Sequence, residues 1–329
     1  MSRSFKSTAG ALASFVLVAI LASLVGCVAE SEINPNPWLV PFTERHGSTI
    51  SRSQMRAMKN LANIYRDHEM MFERRHALIT AVELYAGDQA VTFELLNIFI
   101  DEINNGRIGV MEQEAALDSF GIDVAEVSNE NLPDGEVARQ IAVSYIEARE
   151  RLNQSYEECY RMLSTACGQI PYNVELYYAT ANLQYIRAEE DGDRAKYRDA
   201  IHWLKNAIAT SSEHLESYHL IAMSYERLGD PVRAIRFWRL FEVIYEIAPE
   251  VRGEGFITES RMQMHEDALF HISVLGILEE IHTSEGEDGI TYAETREAAS
   301  DRIDGLDWSE SQLNLLNQIL YYIERAEGG

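Results

Sequence analysis

The chain has 329 residues, with 53 acidic against 28 basic side chains and a formal charge of -25 when histidines are neutral. A surface so negative cannot neutralise phosphates, which excludes nucleic acid and anionic headgroups as partners and leaves positively charged or polar ones. The length allows one elongated domain or two compact ones, with ample core.

Residues 1–26 read as a secretory leader. Arg3 and Lys6 give a positive start, an apolar run follows from Ala11 to Gly26, and Cys27 comes next. The run is at the short edge for a bilayer span, which needs ~20 residues. Its end, Leu24-Val25-Gly26-Cys27, resembles the bacterial lipobox. Small residues there let a protease reach the backbone, and only cysteine offers the nucleophilic thiol. The resemblance implies a diacylglycerol on the Cys27 sulfur, cleavage after Gly26 and an acylated new amino terminus. An unlipidated leader and an uncleaved helical anchor are the alternatives. Without Arg3 and Lys6, the mature form of 303 residues carries about -27. Three acyl chains exceed the roughly two signals that stable anchoring takes, so attachment to the lipid bilayer needs nothing from the folded body. Val28 after the cysteine implies the outer membrane, facing the periplasm, under the enterobacterial sorting rule.

Residues 27–50 form an acylated tether, stiffened by Pro35, Pro37 and Pro41. An N-terminal helical region spans 51–135. Ser51-Arg52-Ser53-Gln54 reads as a capping box, followed by Met55, Met58, Leu61, Ala62, Tyr65, Met71 and Phe72 at helical spacing. Further helices are expected at about 75–86 and 89–104, the second ending at Asn104-Asn105-Gly106. The irregular stretch 106–135, with Gly121 and Pro133-Asp134-Gly135, is the best candidate boundary. No run alternates β-branched residues between turns. Prolines after Pro41 (133, 171, 231 and 249) stand at expected helix ends, so the fold is all-α.

Residues 136–255 carry an internal repeat. Ala200, Leu204 and Ala207 recur 34 residues later as Ala234, Trp238 and Phe241, while Tyr177, Tyr178 and Ala181 recur 41 residues later as Tyr218, His219 and Ala222. The difference is a seven-residue insertion, Arg187 to Asp193, expected as a polar surface loop. The best unit, Tyr218-x3-Ala222-x2-Tyr225-x3-Gly229-Asp230-x3-Ala234-x3-Trp238, resembles the tetratricopeptide repeat. In that family small residues let two helices of a hairpin approach, aromatic residues fill the gaps, and the Gly-Asp turn joins them. A weaker unit is expected from Ala138, Ala142 and Tyr145 with Cys159, Leu163 and Ala166. The sequence departs from the pattern at Gln184, Phe241 and Pro249. The resemblance implies a solenoid of helical hairpins, closed by capping helices over 256–329. The last of these follows the capping box Ser309-Glu310-Ser311-Gln312 and carries Leu313, Leu316, Ile319, Leu320 and Ile323.

On one helix Cys159 and Cys167 would stand ~12 Å apart, beyond disulfide reach; a helix ending before Gly168 would let Cys167 bend back. His214 with His219 and His265 with His271 lack metal-binding spacing. Ser284 to Gly289 is a poor match to a calcium loop, because Thr295 stands where the last carboxylate belongs. No phosphate-binding loop or nucleophile motif is present.

The expected function is therefore protein binding without catalysis, metal or cofactor. The resemblance puts the site in a concave groove lined by Arg139, Val143, Tyr178, Asn182, Tyr185, His219, Met223, Glu226 and Arg227, residue types enriched at interfaces. The chain looks like a scaffold or assembly lipoprotein of the bacterial cell envelope that binds other envelope proteins or peptides. The alternative is an enzyme or solute-binding receptor with a pocket between repeats and terminal helices.

Overall fold

The computed structural model describes residues 49–328 except 86, 285–290 and 304–307. The leader, Cys27, the tether to residue 48 and most of the acidic Ser284–Gly289 loop lie outside the described residues. Among the described residues the chain is eleven α-helices with two short 3-10 turns and no strand. Contacts divide it into two compact units, one ending at Pro171 and one beginning at Tyr172.

The first unit is two helical hairpins. Helix α1 (Thr49–Asp67) starts before Ser51, which therefore falls inside the first turn instead of capping it. Glu69, at φ 59°, breaks the chain, and Met71 and Phe72 open α2 (Met71–Leu84). Asp88 caps α3 (Gln89–Ser119) by accepting from the Val91 amide at 3.3 Å.

Helix α3 does not stop at Asn104-Asn105-Gly106 but runs unbroken through it. Packing overrides a weak local preference here: a Cβ on Gly106 would lie 3.1 Å from Leu152 Cδ1, so the glycine marks a close approach to α4 (Glu136–Gln169). The irregular segment shrinks to 120–135, with a 3-10 turn at Val124–Glu126 and left-handed Gly121 and Gly135.

Helix α4 corrects the weaker repeat unit. Ala138, Ala142, Tyr145, Cys159, Leu163 and Ala166 all lie on this one 34-residue helix, so they form no hairpin. All six are buried, on a face that packs along α3. Cys159 and Cys167 stay on the helix as buried thiols with no disulfide between them. Burial, and then the Glu102 carboxylate, push the Cys159 thiol well above its ordinary range. Arg75 ties three helices of this unit together. It pairs with Glu102 of α3 at 2.9 Å and with Glu158 of α4, and its guanidinium lies 4.8 Å from the Phe99 ring centre. Burial raises the Glu102 pKa against the opposing pull of Arg75.

The second unit begins with two consecutive hairpins, α5 (Val174–Asp191) with α6 (Arg194–Thr210), then α7 (Leu215–Arg227) with α8 (Pro231–Arg252). Each start has a side-chain cap where the sequence supplies one: Asn173 on the Leu176 amide at 3.1 Å, Asp193 on Ala195 at 2.8 Å, Asp230 on Arg233 at 2.9 Å. Most of the expected Arg187–Asp193 loop is helix, with Arg187 and Ala188 buried; only left-handed Gly192 and the cap Asp193 form the turn. Pro249 sits inside the last turns of α8, which ends at Arg252.

Ala222 on α7 and Ala234 on α8 are both fully buried, as are Trp238 and Phe241. Gly229, at φ 71°, forms the turn between them. Helix α9 (Glu259–Ser284) packs on α8 and touches α7; α10 (Tyr292–Ile303) and α11 (Glu310–Glu327) follow. The Ser309–Gln312 capping box that opens α11 is formed from both sides. Leu315, Leu316, Ile319, Leu320 and Ile323 of α11 are buried.

Candidate binding surface

The first helices of the successive pairs in the second unit are α5, α7 and α9; α5 touches α7, and α7 touches α9. The face expected as an open groove lies here, and it is not open. Tyr178 is 5% exposed, Asn182 8%, Tyr185 8% and Glu226 1%, so these four are core residues. His219, Met223 and Arg227 are half-buried. Arg139 and Val143 are exposed on α4 of the first unit. Of the nine expected groove residues, the structure brings together the seven on α5 and α7.

Their partners explain the burial. The Tyr178 ring meets the His214 ring edge-on at 5.2 Å, and Tyr185 meets Tyr197 of α6 at 5.6 Å. Burial raises both phenol pKa values far above the ordinary range, with nearby Glu216 and Glu175 adding to it at Tyr178. His214 Nδ1 meets Oγ of the fully buried Ser217 at 2.8 Å, at the start of α7. Next to it, Arg261 donates to Glu216 at 2.8 Å. Burial alone would raise the Glu216 carboxyl; His214 and Arg261 outweigh it and hold the pKa below its ordinary value.

A buried polar cluster links α7, α8 and α9. Glu226 Oε1 accepts from Trp238 Nε1 at 2.6 Å and meets His271 Nδ1 at 2.8 Å. The His271 ring lies over Trp238 with centroids 4.7 Å apart, and His219 packs edge-on to Trp238 at 5.0 Å. Burial, then the charge of His271, lowers the His219 pKa to about 4 against the opposing pull of Glu226 and Glu216. Tyr245 stacks flat on His265 at 4.1 Å. The cluster pairs a carboxylate, 1% exposed, with an imidazole. Among the described residues no three His, Cys, Asp or Glu side chains converge to hold a metal ion.

The second cluster joins residues that stand far apart along the chain. Glu189 of α5 accepts from Arg227 Nε and from Tyr197 Oη, each at 2.7 Å. The Arg227 guanidinium lies 5.0 Å from the Tyr322 ring centre. Arg194 donates to the carbonyl oxygens of Leu228 at 3.0 Å and Arg325 at 3.3 Å, and Arg325 donates to that of Gly192 at 3.0 Å. Burial, then Arg198 and Arg325, lowers the Arg194 pKa. These groups enclose a cleft of about 70 Å³, room for a few waters. Arginines here satisfy the carboxyl ends of α5, α7 and α11, where carbonyl oxygens lack partners and the helix dipole favours a cation. No local motif announces this; the arginines reach carbonyl oxygens 34 to 133 residues away.

Helix α11 packs on α9 and α10 and also touches α7. It reaches Ser273 of α9 through Gln312 at 3.4 Å, passes its backbone over Gly229 at the end of α7, and meets Gly192 beyond α5 through Arg325. No protein-family model matches this chain, and no curated protein matches it.

Proposed function

We propose that this chain is a lipid-anchored, protein-binding scaffold of the bacterial cell envelope, built on tetratricopeptide-like hairpins in its second unit. The observation that carries the reading is the α7–α8 hairpin: buried Ala222 and Ala234 on facing helices, Tyr225 and Trp238 filling the core, and left-handed Gly229 before the capping Asp230. Contacts between successive first helices α5, α7 and α9 support the stacked arrangement that such hairpins take. The lipobox-like Leu24-Val25-Gly26-Cys27 supports the anchor and the outer-membrane address. The cleft near Arg227, at about 70 Å³, lends nothing to an enzyme or solute-binding receptor.

Two measurements in the native host test this. Cys27→Ala releases the processed protein from membranes or leaves it unprocessed; a processed variant that stays membrane-bound defeats the anchor. A photo-crosslinking residue at half-buried Met223 captures a partner protein, while one at Leu240, exposed on α8, does not. Capture at Leu240 alone moves the binding surface to the exposed stripe Leu240, Val243 and Ile247.

A further inference from the structure

Helix α11 sits on the second unit in the manner of a bound helix. Its buried stripe, Leu316, Ile319, Leu320 and Ile323, follows the i, i+3, i+4, i+7 pattern of a helix lying in a groove. Its amino-terminal cap is made within the helix by Ser309 and Gln312, so the helix needs nothing from the body to hold its first turn. At its other end, exposed Arg325 meets the Gly192 carbonyl where α5 ends, the negative end of that helix.

Resting on the scaffold reading, we propose that the surface beneath α11 is the partner-docking surface. Helix α11 is its resident occupant, displaced by an amphipathic partner helix with a Leu/Ile stripe and an arginine in its last turn. A site closed by its own segment binds outsiders with an apparent affinity reduced by the open fraction, so loosening α11 tightens binding.

Two glycines separate loosening from strain. Gly229 and Gly192 both hold left-handed backbone, at φ 71° and 66°, so alanine strains either turn alike. At Gly229 the added Cβ would stand 2.5 Å from the Tyr322 carbonyl oxygen and 2.9 Å from Ile323 Cα, backbone that cannot step aside. At Gly192 it would meet only the tip of the Arg325 side chain, at 3.1 Å. The probe is a labelled synthetic peptide of residues 309–328, titrated by fluorescence anisotropy into the full mature chain. Gly229→Ala should bind it about tenfold or more tightly than wild type, and Gly192→Ala within about twofold of wild type. A folded Gly229→Ala that binds no better than wild type overturns the proposal, as do equal gains in both variants. If Gly229→Ala loses its helical circular dichroism, Arg325→Glu carries the test, since it breaks the exposed Gly192 contact without touching the core. A gain there supports the proposal and no gain overturns it. Crosslinks at Met223 that persist beside a failed peptide titration would sink this inference and leave the scaffold reading standing.

Discussion

His219 stands edge-on to Trp238 and Phe241 in the second unit, and its neighbours make folding sensitive to acid. The titratable groups facing it are His271 of α9 and Glu226 and Glu216 of its own helix. Its pKa is about 4 in the folded chain, against ~6.5 when unfolded. Between those values the unfolded chain binds a proton that the folded chain refuses. Stability is thus fully present above about pH 6.5 and is lost as pH falls toward about 4. His219→Phe keeps the ring contacts and removes the titration. Between about pH 7 and 4.5 wild type should lose roughly 2 kcal/mol more stability than the variant, as read by urea denaturation at both values. Equal losses would mean that His219 is hydrated in solution.

Helix α3 offers a prediction at the scale of one element. It keeps 31 residues in register despite two glycines, because α4 packs along it. Gly109 is mid-helix with open space where a methyl group would stand, so nothing repays its backbone freedom. Gly109→Ala should stabilise the chain by roughly 0.5–1 kcal/mol. Gly106→Ala should gain less, because Leu152 Cδ1 at 3.1 Å must give way. The denaturation midpoints of the two variants check this order, and a reversed order would mean that Leu152 yields freely. Helix α4 shows why its sequence resembles a hairpin without forming one. Its apolar residues recur at helical spacing on both sides of Arg149–Gln154, and that stretch, polar but for Leu152, carries no glycine or proline to turn the chain.

Charge acts on the whole molecule. With 53 acidic side chains against 28 basic ones, like-charge repulsion opposes the compact state over distances beyond single ion pairs. Raising ionic strength from about 0.01 to 0.5 M shortens the screening length from ~30 Å to under ~8 Å. Partly buried pairs such as Arg75 with Glu102 are screened much less. The Tm of residues 27–329 should therefore rise with salt in calorimetry. A fall would mean that surface ion pairs outweigh the net repulsion.

What the sequence determined by itself is local. Apolar spacing near 3.6 residues, caps at Asp230 and Ser309, and Gly229 before Asp230 set helices of the second unit and the turn of its best hairpin. These signals act within a few residues and survive in a one-dimensional reading. The buried Ala222, Ala234 and Trp238 were legible for the same reason, since a close helix crossing demands small and bulky residues at fixed spacing. Whether a side chain of α5 or α7 is groove or core was not legible. Burial depends on what arrives from elsewhere: His271 reaches Glu226 from 45 residues away, and Arg325 reaches Gly192 from 133. Tyr178 and Tyr185 carry the same sequence signature as exposed groove aromatics, and only the packed structure shows them enclosed. The seat of α11 was decided the same way, because an apolar stripe states that a helix must be covered and leaves open which surface covers it.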